Sequence, residues 1–598
     1  MKRILTNNIG YDSISGKKAI LQSDENIVVK KFSLHEEMTR TVVFSGKAEK
    51  SDAVAKWNKG DFWVLDFSEF CPDADKYYGK YYYLTVATST DVIASAPFEI
   101  HGDVIMYSTL NGVISFIKSQ RATGEWEVAD GNIGFRGTRE GKFDVRGGWW
   151  DASGDVGVHL SHLSHGTYFN PQQACFTAYM LYRLMELLDS GGKRPYNMLR
   201  RRILDEASYG ADWLMRMRAP SKAFFKNGAS RGYAFDPIDS MRKIGFEYKS
   251  SSYQFGKATS ADEEEITDEL YESSFRAGGG IAIAALASAA RYPYPTCEHS
   301  GLEYLQAAKD SYFHLEQNNE KYTNDGKWNL LDNYCALIAL VELYKSSHEY
   351  GFLLRARDMA RKIIDKYIEV SENSGYFAVA DGTDQPFFSA ADEGLPIVAL
   401  LSYYEVERDK ELKKCALQVA EKNMRFVLDN TYEVANPFGY ARIFYQDSAG
   451  VRGKQFFFPH NTNVSPWWQG DNARILSLAA AARFTSIYSA DADLVKQLNS
   501  FADDQIAWVL GLNPYDSCMI EGFGRHNIDY FFGDNYDFMA APGGIVNGIT
   551  GGLKDDAGGI EFIMTPEDHP DVDDSWRWAE QWLPHSHWYI YAIALKKA

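Results

Sequence analysis

What the chain lacks narrows its function first. No stretch of its 598 residues has the length and apolarity of a membrane-spanning helix. Met1-Lys-Arg-Ile-Leu-Thr-Asn-Asn carries two basic residues with no apolar run behind them. That is not a secretory signal, although a trimmed chain would read the same. Cysteine is scarce: the six positions (Cys71, Cys175, Cys297, Cys335, Cys415, Cys518) lie far apart. They form neither a disulfide framework nor a CxxC metal site, so free buried thiols are expected. Basic charge falls short, with 62 Lys and Arg against 81 Asp and Glu for a net charge of −19. Such a surface repels phosphate backbones and anionic lipid, so neither nucleic acid nor a membrane is an expected partner. A cytoplasmic protein is expected. No phosphate loop, dinucleotide fingerprint or serine elbow is present, and nothing in the sequence encodes an oligomeric state.

What is there divides in two. Residues 1 to about 103 hold short β-rich runs, among them Lys18-Ala-Ile-Leu-Gln, Phe62-Trp-Val-Leu-Asp-Phe and Tyr81-Tyr-Tyr-Leu-Thr-Val, punctuated by Gly, Asp and Asn. Regular short strands of this kind predict a β-sandwich. From Met106 the periodicity is helical, and twelve segments are counted between 106 and 597. Twelve helices without intervening strands predict an all-α toroid of six hairpins across 104–598. The second is expected to begin with Asn170 as its cap and Pro171 in its first turn. Stretches 121–170, 219–272, 430–470 and 511–584 are too long for simple connections, and loops of that length usually build binding sites. The acidic run Thr259–Glu269 reads as a solvated loop or helix start.

Two of these stretches carry acids beside aromatics. In Arg146-Gly-Gly-Trp-Trp-Asp151-Ala-Ser-Gly-Asp155, two carboxylates lie four positions apart in a glycine-rich loop behind Trp149 and Trp150. Glycine lets such a loop aim both acids at one point. Tryptophan offers a flat face on which a sugar ring can rest, and aromatics make up 14% of the chain. Near the other end, Glu580 stands among Trp576, Trp578 and Trp582, just before Pro584 in the first turn of the last helix. A carboxyl partly desolvated by indoles keeps its proton nearer neutrality, as a general acid requires. Two acids beside aromatic platforms is the composition of a glycosidase site, in which one carboxylate activates water.

Gly147-Gly-Trp-Trp-Asp-Ala-Ser-Gly-Asp155 resembles the signature loop of the family 9 glycoside hydrolases. Trp508-Val-Leu-Gly-Leu-Asn-Pro514 with Glu521-Gly-Phe-Gly524 and His526 is similar to that family's second signature, and Pro542–Gly548 to its glycine-rich loop. Asn8-Ile-Gly-Tyr11 and the strands up to Pro97-Phe-Glu-Ile resemble its N-terminal immunoglobulin-like module. The resemblance implies an (α/α)6 barrel, residues 104–598, behind an immunoglobulin-like β-sandwich, residues 1–103, and inverting hydrolysis of β-glycosidic bonds in an oligosaccharide. It implies Asp155 as the base, Asp151 as its partner in holding water, and Glu580 as the general acid. Acid and base should then lie about 6.5–9.5 Å apart. Trp149, Trp150, Trp582, the Trp467-Trp468 pair and His526 are the expected substrate contacts.

Three departures shift the expected substrate. The aspartate loop has one extra residue, the His-His-Arg run is reduced to Gly524-Arg-His526-Asn, and Ala579-Glu580 replaces the usual Asn-Glu. These features resemble the cytoplasmic branch that trims short oligosaccharides from one end, the exo-β-glucosaminidases and β-glucosidases, with endoglucanase and inactive sugar-binding protein as the rivals. The acidic surface leans toward a cationic amino sugar. No cofactor is implied. Some relatives bind calcium or zinc, but no cluster here demands an ion, and His159, His162 and His165, spaced by three, need not converge on a metal.

Overall fold

In the computed structural model the described residues are 1–73, 80–162, 169–190, 197–229, 238, 242–247, 265–462, 469–531, 540–552, 559–570 and 572–595, with backbone alone at 252–254 and 257–259. Alternation of buried and open positions builds the first ladder of strands. These are β1 Lys2–Leu5, β2 Gly10–Asp12, β3 Lys18–Ser23, β4 Lys31–Glu36, β5 Val42–Lys50, β6 Asp61–Asp66, β7 Tyr81–Ala87, β8 Val92–Ala94 and β9 Phe98–His101. Their order is β1-β3-β6-β5-β4-β7-β9-β2, with β8 beside β7. β5 pairs with β4 through its first half and with β6 through its last three residues. The ladder thus folds over itself at β5, and its two layers close on Leu21, Phe32, Leu34, Trp63, Leu65, Leu84 and Ile100. This is the expected immunoglobulin-like sandwich.

Twelve long helices follow among the described residues: α1 Val104–Ser119, α2 Ala174–Ser190, α3 Asn197–Arg216, α4 Gly280–Ala289, α5 Gly301–Tyr322, α6 Leu330–Ser347, α7 Tyr350–Ile364, α8 Leu395–Val406, α9 Lys410–Tyr432, α10 Asn472–Tyr488, α11 Ala492–Val509 and α12 Leu583–Ala594. Contacts run α2–α4–α6–α8–α10–α12 and back to α2, a closed inner ring. Each odd-numbered helix backs onto an inner one, α1 onto α12 and α3, α5, α7, α9 and α11 onto their neighbours. Composition explains the layering. Every residue of α4 (Gly-Ile-Ala-Ile-Ala-Ala-Leu-Ala-Ser-Ala) is buried, as are the first fifteen of α10. Helices apolar all round must lie inside, whereas α7 and α9, with one apolar stripe, suit the outer ring. The structure is an (α/α)6 barrel. Two details differ from expectation: short strand pairs such as Tyr367–Ser371 with Ser374–Phe377 intervene between helices, and α2 begins at Ala174, with Asn170 and Pro171 ahead of it, because Gln172 is drawn instead to Asp392 across the barrel (2.9 Å).

The sandwich is bolted to the barrel. Trp57 is buried among Phe438, Phe456, Phe457 and Trp508, with ring centroids 4.9–6.1 Å apart. Lys18 pairs with Asp504 at 2.8 Å, Asn8 N–H donates to Leu510 O at 2.7 Å, and Gly16 N–H to Asp503 at 2.8 Å. Burying one indole at about 25 cal/mol per Å² over roughly 200 Å² contributes up to about 5 kcal/mol to this seam.

Inner helices α2, α4 and α6 are also tied by charge. Glu342 of α6 is fully buried and accepts from Arg291 (2.5 Å), Lys345 (3.2 Å) and Ser288 (3.1 Å). Burial opposes its charge, but Lys345, Arg291 and Arg183 outweigh burial and hold the carboxyl well below its ordinary 4.5. Glu342→Ala strands these cations, and a loss of about 3–5 kcal/mol is expected in denaturant midpoints. Because the folded value is depressed, Glu342 stabilises fully above pH about 4.5 and progressively less as acid protonates it. The gap between wild type and variant should therefore close as pH falls below that point.

Candidate active site

The aspartate loop hangs between two anchors. On one side, Trp150 N–H donates to Gln120 O (2.8 Å) and Ala122 N–H to Gly148 O (3.1 Å), strapping it to the end of α1. Gly147 and Gly148 hold φ of 107° and 73° there, a region closed at low cost only to glycine. On the other side, Ala152 pairs antiparallel with Trp582. Leu583 N–H donates to Asp151 O at 2.9 Å, Ser153 N–H to Gln581 O at 2.8 Å, and Gln581 N–H to Ser153 Oγ at 3.0 Å. The segment bearing Asp151 and Asp155 and the segment bearing Glu580 are thus neighbouring strands of one short ladder, although 428 positions separate Ser153 from Gln581. That ladder brings the three sequence-predicted acids together.

Each acid has its own setting. Asp151 is buried, and its Oδ2 accepts from Gln173 Nε2 at 2.7 Å and lies 3.3 Å from His159 Nδ1. Its Oδ1 has no hydrogen-bond partner among the described residues. Burial works against its charge, yet His159, His162 and the Gln173 amide together hold it below the usual carboxylate range. Asp155 is half-buried in the turn after Gly154, and its Oδ1 accepts Gly157 N–H at 2.7 Å. Glu580 is half-buried too, at the end of the short helix Trp576–Ala579. Its Oε2 lies 3.3 Å from Asn547 Nδ2, and its carbonyl accepts Asn547 N–H at 2.8 Å. Asn547 in turn takes His585 Nε2 at 2.9 Å. Burial drives His585 down to about 3, so the ring is neutral and places its proton on that nitrogen. Tyr530, buried, sends its hydroxyl to Ser153 O (3.4 Å) and is pushed far up, first by burial, then by the charges of Glu580, Asp574 and Asp155.

The predicted platforms fare differently. Trp149 is fully buried: its indole N–H donates to Glu206 of α3 (3.2 Å) and its ring meets Tyr209 edge-on. It pins the loop to the outer ring and offers no face to a sugar, a correction to its expected role. Trp582 is also buried, edge-on to His162 and His585 (6.1 and 5.4 Å), and forms floor rather than platform. His526 needs correcting as well. It is exposed, its Nδ1 is 3.0 Å from Asp516 O, and adjacent Arg525 reaches Thr6 and Asn8 of the sandwich. It belongs to the interdomain seam, where Arg525 and Asp516 lock the turn. Trp150 keeps a usable face: it is half-buried beside Asp151, edge-on to Trp126, and its indole N–H has no partner among the described residues. Trp467, Trp468 and His165 lie outside the described residues. Among the described residues no three His, Cys, Asp or Glu side chains gather to hold a metal ion. Gln173, Tyr530, Asn547 and His585 were not singled out as site residues from sequence, and His159 was weighed there as a metal ligand; the glycine-rich loop holding Asn547 and the His-Ser-His after Glu580 were the available signals.

Comparison with known proteins defines the class. The model of glycosyl hydrolase family 9 matches residues 108–533, and that of the cellulase N-terminal ig-like domain matches residues 1–91. The chain belongs to glycosyl hydrolase family 9 and is an O-glycosidase. No curated protein matches it. Among solved structures it resembles a metagenome-derived family 9 endoglucanase (TM-score 0.64, 17% identity, 99% of this chain and 98% of that one). A single mutant of a thermostable endoglucanase from Alicyclobacillus acidocaldarius is similar at TM-score 0.62 and 17% identity, over 99% of each chain. Endoglucanase J30 gives 0.61 and 17%, over 98% of this chain and 100% of that one. No helix among the described residues is long and apolar enough to cross a membrane.

Asn547→Ala removes the amide between Glu580 and the neutral His585. Misplacement of a reacting group by an ångström costs on the order of 10²-fold, so kcat should fall about that far while KM stays nearly unchanged. Steady-state kinetics with a thermal melt checks this.

Proposed function

We propose that this enzyme is an inverting, exo-acting β-glycosidase of the cytoplasm that removes single sugars from short β-1,4-linked oligosaccharides, with the β-1,4 disaccharide of glucosamine preferred. The carrying observation is the ladder joining residues 151–153 to 581–583, which supports one carboxylate as acid and another as base across a common cleft. In this reading Glu580 gives its proton to the glycosidic oxygen as the bond to the anomeric carbon breaks. A water attacks that carbon from the opposite face and loses its proton to Asp155, and Asp151 helps hold the water through its unengaged Oδ1. The sugar released is then the α-anomer. Residues 1–103 serve as a rigid buttress and 104–598 as the catalytic unit.

Two features favour a short, cationic substrate. Trp149 and Trp582 are turned inward, which shortens the aromatic track a long polymer would need. The net charge of −19 draws an amino sugar toward the cleft. The second reading, an endoglucanase, rests on the named activity of the structural relatives, and another relative is held in complex with cellobiose-like isofagomine.

Asp155→Ala and Glu580→Ala should each lower turnover by about 10²–10⁴-fold with an unchanged melting profile; near-normal activity in either overturns the assigned roles. Product chromatography with the glucosamine and glucose disaccharides and carboxymethylcellulose tests the substrate. Glucosamine release well above glucose supports the proposal. Cleavage of cellobiose alone makes the enzyme a β-glucosidase, and falling polymer viscosity with both disaccharides intact makes it an endoglucanase.

A further inference from the structure

His159 has no part in the reaction as drawn above, yet it occupies the centre of the aspartate loop. The geometry turns on Gly157. Its N–H donates to Asp155 Oδ1 (2.7 Å) and its carbonyl accepts Asp151 N–H (3.2 Å), so one peptide touches both acids. A methyl group built on Gly157 would come within 2.3 Å of the His159 ring and 3.2 Å of Asp155 Oδ1. The imidazole therefore lies over the bare Gly157 backbone, beside Asp155, with Nδ1 turned to Asp151 Oδ2. It cannot swing away: His159 is buried, and its backbone is held in strand β10 Val158–His159 against β11 Asn227–Ala229.

We propose that His159 is the positioning residue of the aspartate loop: its imidazolium, wedged between Asp151 and Asp155, fixes Asp151 as a charged carboxylate with Oδ1 directed at the attacking water. This rests on the reading of Asp155 as base and Asp151 as its partner. Two carboxylates serving one water repel each other, and without a cation one of them takes up a proton. The groups around the ring are few. Asp151, Asp155 and His162 face it from its own segment, and the Gln173 amide caps the same Asp151 oxygen. The buried Arg242–Asp130 pair lies behind, held to the loop through Val156 O, and Tyr530 and Glu580 stand beyond Asp155. Arg242 is committed to Asp130, so the imidazoles, His159 first and His162 after it, are what favour the charge on Asp151.

The test uses whichever disaccharide the wild type cleaves, with Asp155→Ala run alongside. His159→Gln keeps an N–H donor and removes the charge. Its kcat should fall about 10²-fold with KM within about twofold, and the acid limb of the kcat profile should move up by about one pH unit. The sign follows from loss of the cation: a carboxylate without it binds a proton at higher pH. A residue of structural importance alone would lower kcat and the melting temperature and leave that limb in place, which overturns the proposal. Gly157→Ala, which displaces the ring without removing it, should reproduce the shift; an unmoved limb there counts equally against it. Should His159→Gln not fold, nitrogen-detected NMR of the His159 ring decides: Asp151→Asn should lower its titration midpoint by about one unit, and an unchanged midpoint refutes the pairing. Full activity in Asp155→Ala would instead sink the underlying assignment of base and acid, independently of His159.

Discussion

The meeting of the two acid-bearing segments depends on one short antiparallel ladder, in which Asp151, Ala152 and Ser153 exchange backbone hydrogen bonds with Gln581, Trp582 and Leu583. A general acid and a general base must keep a fixed separation for inversion to proceed. Side chains on independent loops would not hold that separation, whereas backbone pairing does. One strand of the ladder runs straight into a helix, since Leu583 opens α12, and the other is tied to the start of α2 by the Gln173–Asp151 hydrogen bond. α2 and α12 are adjacent members of the closed inner ring, so the site inherits its rigidity from the barrel.

The barrel reinforces this at a second point. Asp392, ahead of α8, accepts Gln172 N–H and Trp588 Nε1 at 2.9 and 2.8 Å. One buried carboxyl, raised by burial to about 7, therefore spans the segments leading to both halves of the ladder. Charge is placed differently at Glu342, where three cations surround a single carboxylate and pull it the other way. The same carboxyl group serves as hydrogen-bond acceptor in one place and counter-ion in another, according to what burial brings beside it.

Much of this was legible in the sequence. Periodicity located all twelve long helices, because inner helices such as α4 and α10 are almost uniformly small and apolar and outer ones carry a clear stripe. The acids were legible because glycines and aromatics mark their loops. Which tryptophan keeps an open face was not. Trp149 and Trp150 are adjacent and chemically identical, and only Glu206, 57 positions away, draws the first inward. His526 misled in the same way, since its partner Asp516 is itself held by Arg525, which reaches Thr6 and Asn8 of the sandwich. The α2 start was missed because Asp392, 220 positions on, outcompetes a local cap. Long-range partners, invisible to local patterns, account for each difference.

Because the ladder joins residues 428 positions apart, closing it costs chain entropy that only a completed ring of helices can offset. No fragment or partly folded intermediate that lacks α2 or α12 can bring Asp155 and Glu580 together. Turnover in this protein is thus a report on global folding. A species with native-like helix content but an open seam between α2 and α12 would look folded to circular dichroism and remain silent toward sugar.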